Sequence, residues 1–467
     1  MVYPLSVVLA VAKKHCFYDE NVTHPPTREA VDQIVQQTAH DDKAEQLAAW
    51  PLLHKETLYT TIQRLVNDTS PENTYRQSSY VSITGGGRGA QPLFFATDGA
   101  ENRRQRAEFG SLIASTGTLS SRDWVVSMHS GGGLYRALDL TLEIMECAGA
   151  CTLAAGSHMP LPDVVQLLIK YHANAVSGDS SQIVNLARHV ATLPPETRHQ
   201  IRLDKIVYTS EVLTRAQRAF LRATLGDAVA VCSLLASAES GPWALSNPAL
   251  TGDGDGDAAT DFVYDTRTML VEIFPDQVGR ARPLPDGATG MIVLTSLCRL
   301  RNPLVRYVSG DVGSLHELPP TAAVVADRAH LRVLRLQGRD RRFSFDWEGD
   351  YIEFRNLAAI ADDPRYGLLQ WQAILQNGAQ DLLPCLELRV LPSGARDKDL
   401  EAALLKHMAE RVRVLLSLEG EEESFCMRVL ENTDGFEKST TGRKVVKFID
   451  RFNERGDLDA AGIKESV

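Results

Sequence analysis

Between Asp123 and Glu239 the chain alternates short apolar runs with amphipathic stretches of helical period, and this alternation restricts the fold more than any other feature. DWVVSMHSGGGLYRALDLTLEIMECAGACTLAAG opens with the strand-like VVSM, passes through His129-Ser130-Gly131-Gly132-Gly133, continues as a helix and closes on an apolar run. The same order recurs in MPLPDVVQLLIKYHANAVSGDSSQIVNLARHV and in KIVYTSEVLTRAQRAFLRATLGDAVAVCSLLASAE. Strands joined through helices pair in parallel, with the helices on the sheet faces, and ligands gather outside the carboxyl ends of such strands. His129, the Gly178-Asp179-Ser180-Ser181 turn and the Thr209-Ser210-Glu211 turn stand at such ends.

A second feature is VSITGGGRGAQPLFFATD, a glycine-rich run between apolar segments. Glycines allow positive φ and close approach, so successive backbone N–H groups of Gly85, Gly86 and Gly87 can face phosphate oxygens, with Ser82, Thr84 and Arg88 as further donors. No Gly-Lys-Ser/Thr follows, and Pro92 to Phe95 reads as a strand, which excludes a Walker loop and a dinucleotide fingerprint. A plain glycine-rich hairpin is the alternative reading.

The flanking sequence completes an α/β plan. Residues 1 to 75 read as helices, with Thr27 placed to cap one and TDGAENRRQRAEFGSLIAS giving a Thr-Asp cap to another. NPALTGDGDGDAATD has calcium-loop spacing of aspartates but no closing Glu, and reads as a solvated linker. From about 262 to 337 alternating apolar and polar residues with turn signals between them predict a β-rich part, and a change of character near Gly338 predicts a boundary. The expected organisation is a large lobe over 1–337, of parallel-rich sheets flanked by helices plus a β-rich part, and a small mobile α+β unit over 338–467.

Composition narrows the partners. Net charge is −11 with Lys and Arg scattered, which argues against a nucleic-acid groove or an anionic membrane surface. Seven cysteines are spread along the chain without CxxC or CxxH spacing, so they read as small core residues of a reducing compartment. The amino-terminal apolar run is about nine residues with its lysines after it, so it reads as buried chain and the cytoplasm is the expected location.

Four separated stretches, taken together, resemble the adenylate-forming ligase superfamily (acyl-, aryl- and luciferase-type), most nearly its phenylacetate–CoA ligase branch. Leu52-Leu53-His54-Lys55-Glu56 is similar to that branch's LP-x-x-x-K-x-x-L lead-in, and SITGGGRGAQP stands at its phosphate loop, with Gly86 and Gly87 in place of two hydroxyl residues. By this resemblance Ser82, Thr84, Gly85, Gly86, Gly87 and Arg88 meet the phosphates, Ser210, Glu211 and Ala238 line the adenine, and Glu239 carries Mg²⁺. Leu235 replaces the aromatic that stacks on the base. Arg306-Tyr307-Val308-Ser309-Gly310-Asp311 is similar to Tyr-Arg-Thr-Gly-Asp, which gives Asp311 the ribose hydroxyls, and a carboxylate has the paired acceptors a diol needs. Gly338-Arg339-Asp340 matches the Gly-Arg-x-Asp junction, with Arg339 on the nucleotide and Asp340 at the hinge. The loop from Lys438 to Lys444 corresponds to the one whose last lysine meets the reacting charge; alignment on Gly442 favours Arg443, and alignment on KFID favours Lys444. His129 is a candidate to orient the acid.

The function so implied is ATP- and Mg²⁺-dependent activation of a small carboxylic acid as an acyl-adenylate, then transfer to a thiol such as CoA. Two alternatives stay open: an amide synthetase with an amine acceptor, and a member of the fold that binds nucleotide without turnover.

Overall fold

A computed structural model describes residues 2–38, 47–83, 94–132, 134–209, 213, 215–252, 259–275, 282–320, 325, 327–339, 344–347, 350–378, 383–392, 398–418, 424–437 and 445–452. The chain begins with α1 (Leu5–Ala12), α2 (Arg28–Thr38) and α3 (Lys55–Asn67). The Thr27 hydroxyl accepts from Ala30 N–H at 3.2 Å, as expected of a cap. A hairpin of β1 (Ser79–Ile83) and β2 (Phe94–Asp98) runs into α4 (Gly99–Ser115). Asp98 caps that helix, accepting from Ala100 and Glu101, and its other oxygen binds Arg301 at 2.9 Å.

The alternating stretch then gives β3 (Trp124–Ser127), α5 (Ala137–Cys147), β4 (Cys151–Ala154), α6 (Leu161–Lys170), β5 (Ala175–Asp179), α7 (Ser180–Thr192), α8 (Pro195–Arg198), β6 (Lys205–Thr209), α9 (Arg215–Leu225) and β7 (Ala230–Ser237). These strands pair in parallel in the order β4-β3-β5-β6-β7. Val125, Val126, Val176, Ile206 and Val207 are fully buried, which is why the strands read as continuous apolar runs.

The sheet continues beyond β7. It adds β8 (Gly241–Leu245), α10 (Pro248–Thr251) on the connection, β9 (Thr260–Asp265), β10 (Met269–Phe274), β11 (Gly290–Ser296), β12 (Tyr307–Glu317) and β13 (Leu331–Arg339), all antiparallel. The parallel and β-rich stretches therefore join in one eleven-stranded sheet, ordered β10-β11-β12-β13-β9-β8-β7-β6-β5-β3-β4. The last part holds β14 (Ser344–Trp347), β15 (Asp350–Glu353), α11 (Phe354–Ala361), β16 (Leu368–Asn377), β17 (Pro384–Pro392), α12 (Lys398–Leu416), β18 (Phe425–Val429) and β19 (Phe448–Asp450). Its four-stranded sheet, β18-β17-β16-β19, packs Leu386, Leu388, Val390 and Phe425 against Met408, Val412 and Leu415 of α12. Among the described residues, that apolar cluster draws only on 345–452. Among the described residues, no helix is long and apolar enough to cross a membrane.

The cysteines depart from expectation. Cys16, Cys232, Cys298 and Cys385 are buried, but Cys147, Cys151 and Cys426 are exposed. Each of the three sits at a helix end or on an outer sheet strand, where the core does not reach.

Candidate active site

The turn that follows β7 is the best-built polar feature at the carboxyl edge of the parallel strands. Glu239 is 4% exposed there. Its Oε1 accepts the Tyr59 hydroxyl at 2.9 Å, and Lys55 Nζ lies 3.9 Å from the same oxygen. Lys55 and Tyr59 are four residues apart and so share one face of α3. Burial, followed by the Glu239 charge, holds the Tyr59 phenol well above its ordinary pKa, so it remains a donor.

The backbone of the turn is clamped from the other side. Arg299 donates from Nη1 to the Glu239 carbonyl and from Nε to Gln105 Oε1 at 3.1 Å, while Gln105 Nε2 donates to Ser240 O at 2.8 Å. Gly241 closes the turn at φ +67°, and a Cβ there would stand 2.8 Å from both Arg299 Nη2 and Gln105 Oε1. Only glycine fits. Arg299 is 1% exposed, and burial lowers its pKa to about 10.

His129 follows β3 at the same edge. With β6 and β5 between β7 and β3, it stands three strand steps from the Glu239 turn, or roughly 14 Å. Its Nε2 is 3.0 Å from Ser177 Oγ on β5, and both side chains are buried. Burial lowers the His129 pKa to about 4, which leaves a neutral ring committed to a hydroxyl. Asp179, at the end of β5, forms a capping box with Gln182 at the start of α7. That turn candidate is thus a helix cap.

Asp311 lies on β12, half-buried after Gly310 at φ +82°, with its N–H on Ser309 Oγ at 3.1 Å. Its register partner is Arg339 on β13. Within the sheet β12 is four steps from β7, and α3 spans the gap. Leu53, just before α3, donates its N–H to Arg306 O at 2.8 Å and accepts from Val308 N–H at 3.0 Å. Tyr307 and Tyr59 then share an apolar cluster that also takes in Ala238 and Val81, so the β1–β2 hairpin carrying Ser82 adjoins the Glu239 turn. Arg306 itself makes a two-pronged bond to Glu272 at 2.6 and 2.9 Å and caps Trp50 O, a structural clamp.

Leu235 stands just before the Glu239 turn in the chain. It lies inside β7 opposite Ala244 and packs on the cluster of Trp243 and Phe262, so its side chain serves the sheet interior. Thr84, Gly85, Gly86, Gly87, Arg88, Ser210, Glu211, Asp340, Arg443 and Lys444 lie outside the described residues. Sequence reasoning missed Tyr59 and Arg299 as partners of Glu239. The i, i+4 pairing of Lys55 with Tyr59 was the available signal, but nothing local says what faces it.

Two contacts join the N-terminal part to the last part of the chain. Lys55 Nζ is also 3.7 Å from Glu353 Oε1, at the start of α11, and Leu383 packs against the cluster of Met128, Ile183 and Tyr208.

No family model matches the chain, and no curated protein matches it. Solved structures do. A 2-hydroxyisobutyryl-CoA ligase with 2-HIB-AMP and CoA in the thioesterification state is 17% identical with a TM-score of 0.68, covering 98% of this chain and 92% of its own. An open conformation of the same ligase, also with 2-HIB-AMP and CoA, gives 18% and 0.53 over 95% and 90%. Amide bond synthetase McbA from Marinactinospora thermotolerans gives 15% and 0.51 over 82% and 72%. The chain thus has the adenylate-forming ligase fold that the resemblance implied.

Proposed function

We propose that this chain is an adenylate-forming ligase, related to the phenylacetate–CoA ligase branch, that activates a carboxylic acid with ATP, releases pyrophosphate and passes the acyl group to a thiol such as CoA. The observation that carries the reading is the buried Glu239 carboxylate at the carboxyl end of β7, with Tyr59 and Lys55 holding it, in a chain with this fold. In this reading Glu239 would hold the cation, since its carboxylate offers the oxygen that a hard ion takes, and the Lys55 ammonium 3.9 Å away would compete with the ion for it. Bound Mg²⁺ would neutralise phosphate oxygens during the transfer.

The chain's own residues then divide the work. Asp311 accepts hydrogen bonds from the ribose hydroxyls, Arg339 contacts the nucleotide, and the backbone around Ser82 to Arg88 receives the phosphates. Ser210, Glu211 and Ala238 line the base, and Asp340 is the hinge. His129, neutral at working pH, orients the acid through its ring. Lys444, or Arg443, balances charge as the acid's oxygen attacks the α-phosphorus and the bond to pyrophosphate breaks. The expected location is the cytoplasm.

A thiol acceptor is the first reading because the solved ligase matched at a TM-score of 0.68 holds 2-HIB-AMP and CoA. The likeness to an amide bond synthetase supports an amine acceptor as the second reading. The test is pyrophosphate release over a panel of carboxylic acids, with CoA and with amines, in wild type and Asp311→Ala. Release by wild type that falls at least about a hundredfold in the variant is expected for a residue gripping the nucleotide. No release with any acid, alongside a thermal shift with ATP and Mg²⁺, would select the non-catalytic nucleotide binder instead.

A further inference from the structure

The outer face of the C-terminal sheet, turned away from α12, carries two thiols on neighbouring strands. β17 and β18 run parallel with Glu387 opposite Cys426, so Cys385, two residues before Glu387, shares that face on the diagonal. That placement sets the two thiols close enough for each to shift the other's titration through a hydrogen bond. Cys385 is buried and Cys426 is exposed, so a small solute reaches Cys426 first. Arg389 and Arg428 stand beside it: Arg389 Nε binds Glu387 at 2.8 Å, and Arg428 Nη1 is 3.9 Å from the same carboxylate. Cys385 is two residues from Leu383, which packs on the N-terminal lobe.

We propose that Cys385 and Cys426 form a redox-active thiol pair, a site of reversible modification that hydrogen peroxide oxidises to a disulfide. That pairing sets the direction. Hydrogen bonding from Cys385 lowers the Cys426 pKa to about 7, against partial burial and Glu387 and with help from both arginines, while Cys385 is pushed up and keeps its proton. The Cys426 thiolate attacks one peroxide oxygen, the O–O bond breaks, and hydroxide leaves, giving the sulfenic acid. The Cys385 sulfur then attacks the Cys426 sulfur; the S–S bond forms, the S–O bond breaks, and water leaves with the Cys385 proton. The thiols lose two electrons, and the peroxide takes them up as two waters. Diagonal neighbours stand about 7–8 Å apart and a disulfide spans about 4.4–6.8 Å, so the new bond draws the edge strand β18 along β17 beside the Leu383 contact.

The experiment uses the full chain, treated with hydrogen peroxide near neutral pH, alkylated, proteolysed and mapped by mass spectrometry. A Cys385–Cys426 cross-linked peptide that dithiothreitol removes is expected, and in Cys385→Ser a dimedone adduct on Cys426 replaces it. Iodoacetamide labelling at pH 7 gives a second readout. Burial, with Glu143 and Glu146, pushes the Cys147 pKa up, so Cys426 should label about tenfold faster after allowing for its weaker intrinsic nucleophilicity. Oxidation of Cys147 or Cys151 without that cross-link, or Cys426 labelling no faster than Cys147, overturns the proposal. Neither readout depends on ligase activity, so its failure leaves the proposed function untouched.

Discussion

Tyr59→Phe removes one hydroxyl and nothing else from the Glu239 turn. The donor is 5% exposed, the acceptor carboxylate 4% exposed, and the bond 2.9 Å long, so water cannot replace it without opening the packing of α3 on the sheet. A hydrogen bond to a charged group contributes about 1.5–3 kcal/mol. Lys55 remains 3.9 Å from the same oxygen and moderates the loss. We therefore expect about 2 kcal/mol. In a lobe of several hundred residues that moves a thermal midpoint by only about 3 °C, so urea unfolding followed by tryptophan fluorescence is the sharper assay, with a lower midpoint and an unchanged slope. The control is the same change in a Glu239→Gln background, where a neutral pair leaves about 1 kcal/mol at stake and the cycle yields a coupling of about 1 kcal/mol. Additive effects, or a Tyr59→Phe protein within about 0.5 kcal/mol of wild type, would refute the argument that α3 holds the carboxylate.

Two further outcomes follow from the same geometry. Arg299→Met should cost about 3 kcal/mol in urea unfolding, because the Glu239 carbonyl and Gln105 each lose a charged donor in a buried site. Arg299→Lys should restore little, since one ammonium cannot reproduce the planar fork; full rescue would contradict the clamp. His129, with a folded pKa near 4 against an ordinary 6.5, binds its proton more readily when unfolded. Stability should therefore be fully present above pH 6.5 and decline by about 3 kcal/mol as pH falls to 4. His129→Asn should flatten that part of the profile and leave the portion due to His15, which burial lowers to about 3. A profile unchanged by His129→Asn would show that the ring is not held neutral.

What could be read in advance was what neighbours along the chain determine. The alternation of apolar runs and amphipathic helices produced the parallel strands β3 to β7, because each strand buried on both faces must be apolar throughout. Asp98 at the entry to α4 was legible as a cap because its partners are the next N–H groups along the chain. Glu239 was legible as a residue at a strand end, and Asp311 as an acid after glycine. The expectation that all seven cysteines belong to the core failed at Cys147, Cys151 and Cys426, since composition does not say which face of an element is covered.

The remainder depended on contacts between distant parts of the chain. Tyr59 reaches Glu239 across 180 positions and Arg299 reaches the same turn across 60, so no local period records either. Arg306 lies in the stretch that resembles a nucleotide motif, and folding matches its charge to Glu272 and to the carbonyl of Trp50. Sequence alone determined the parallel strand–helix order and which acids end its strands, because backbone pairing and caps are short-range. Only the tertiary structure decided which hydroxyl, guanidinium and ammonium surround Glu239, because burial leaves a charge stable only beside partners that the fold brings from elsewhere.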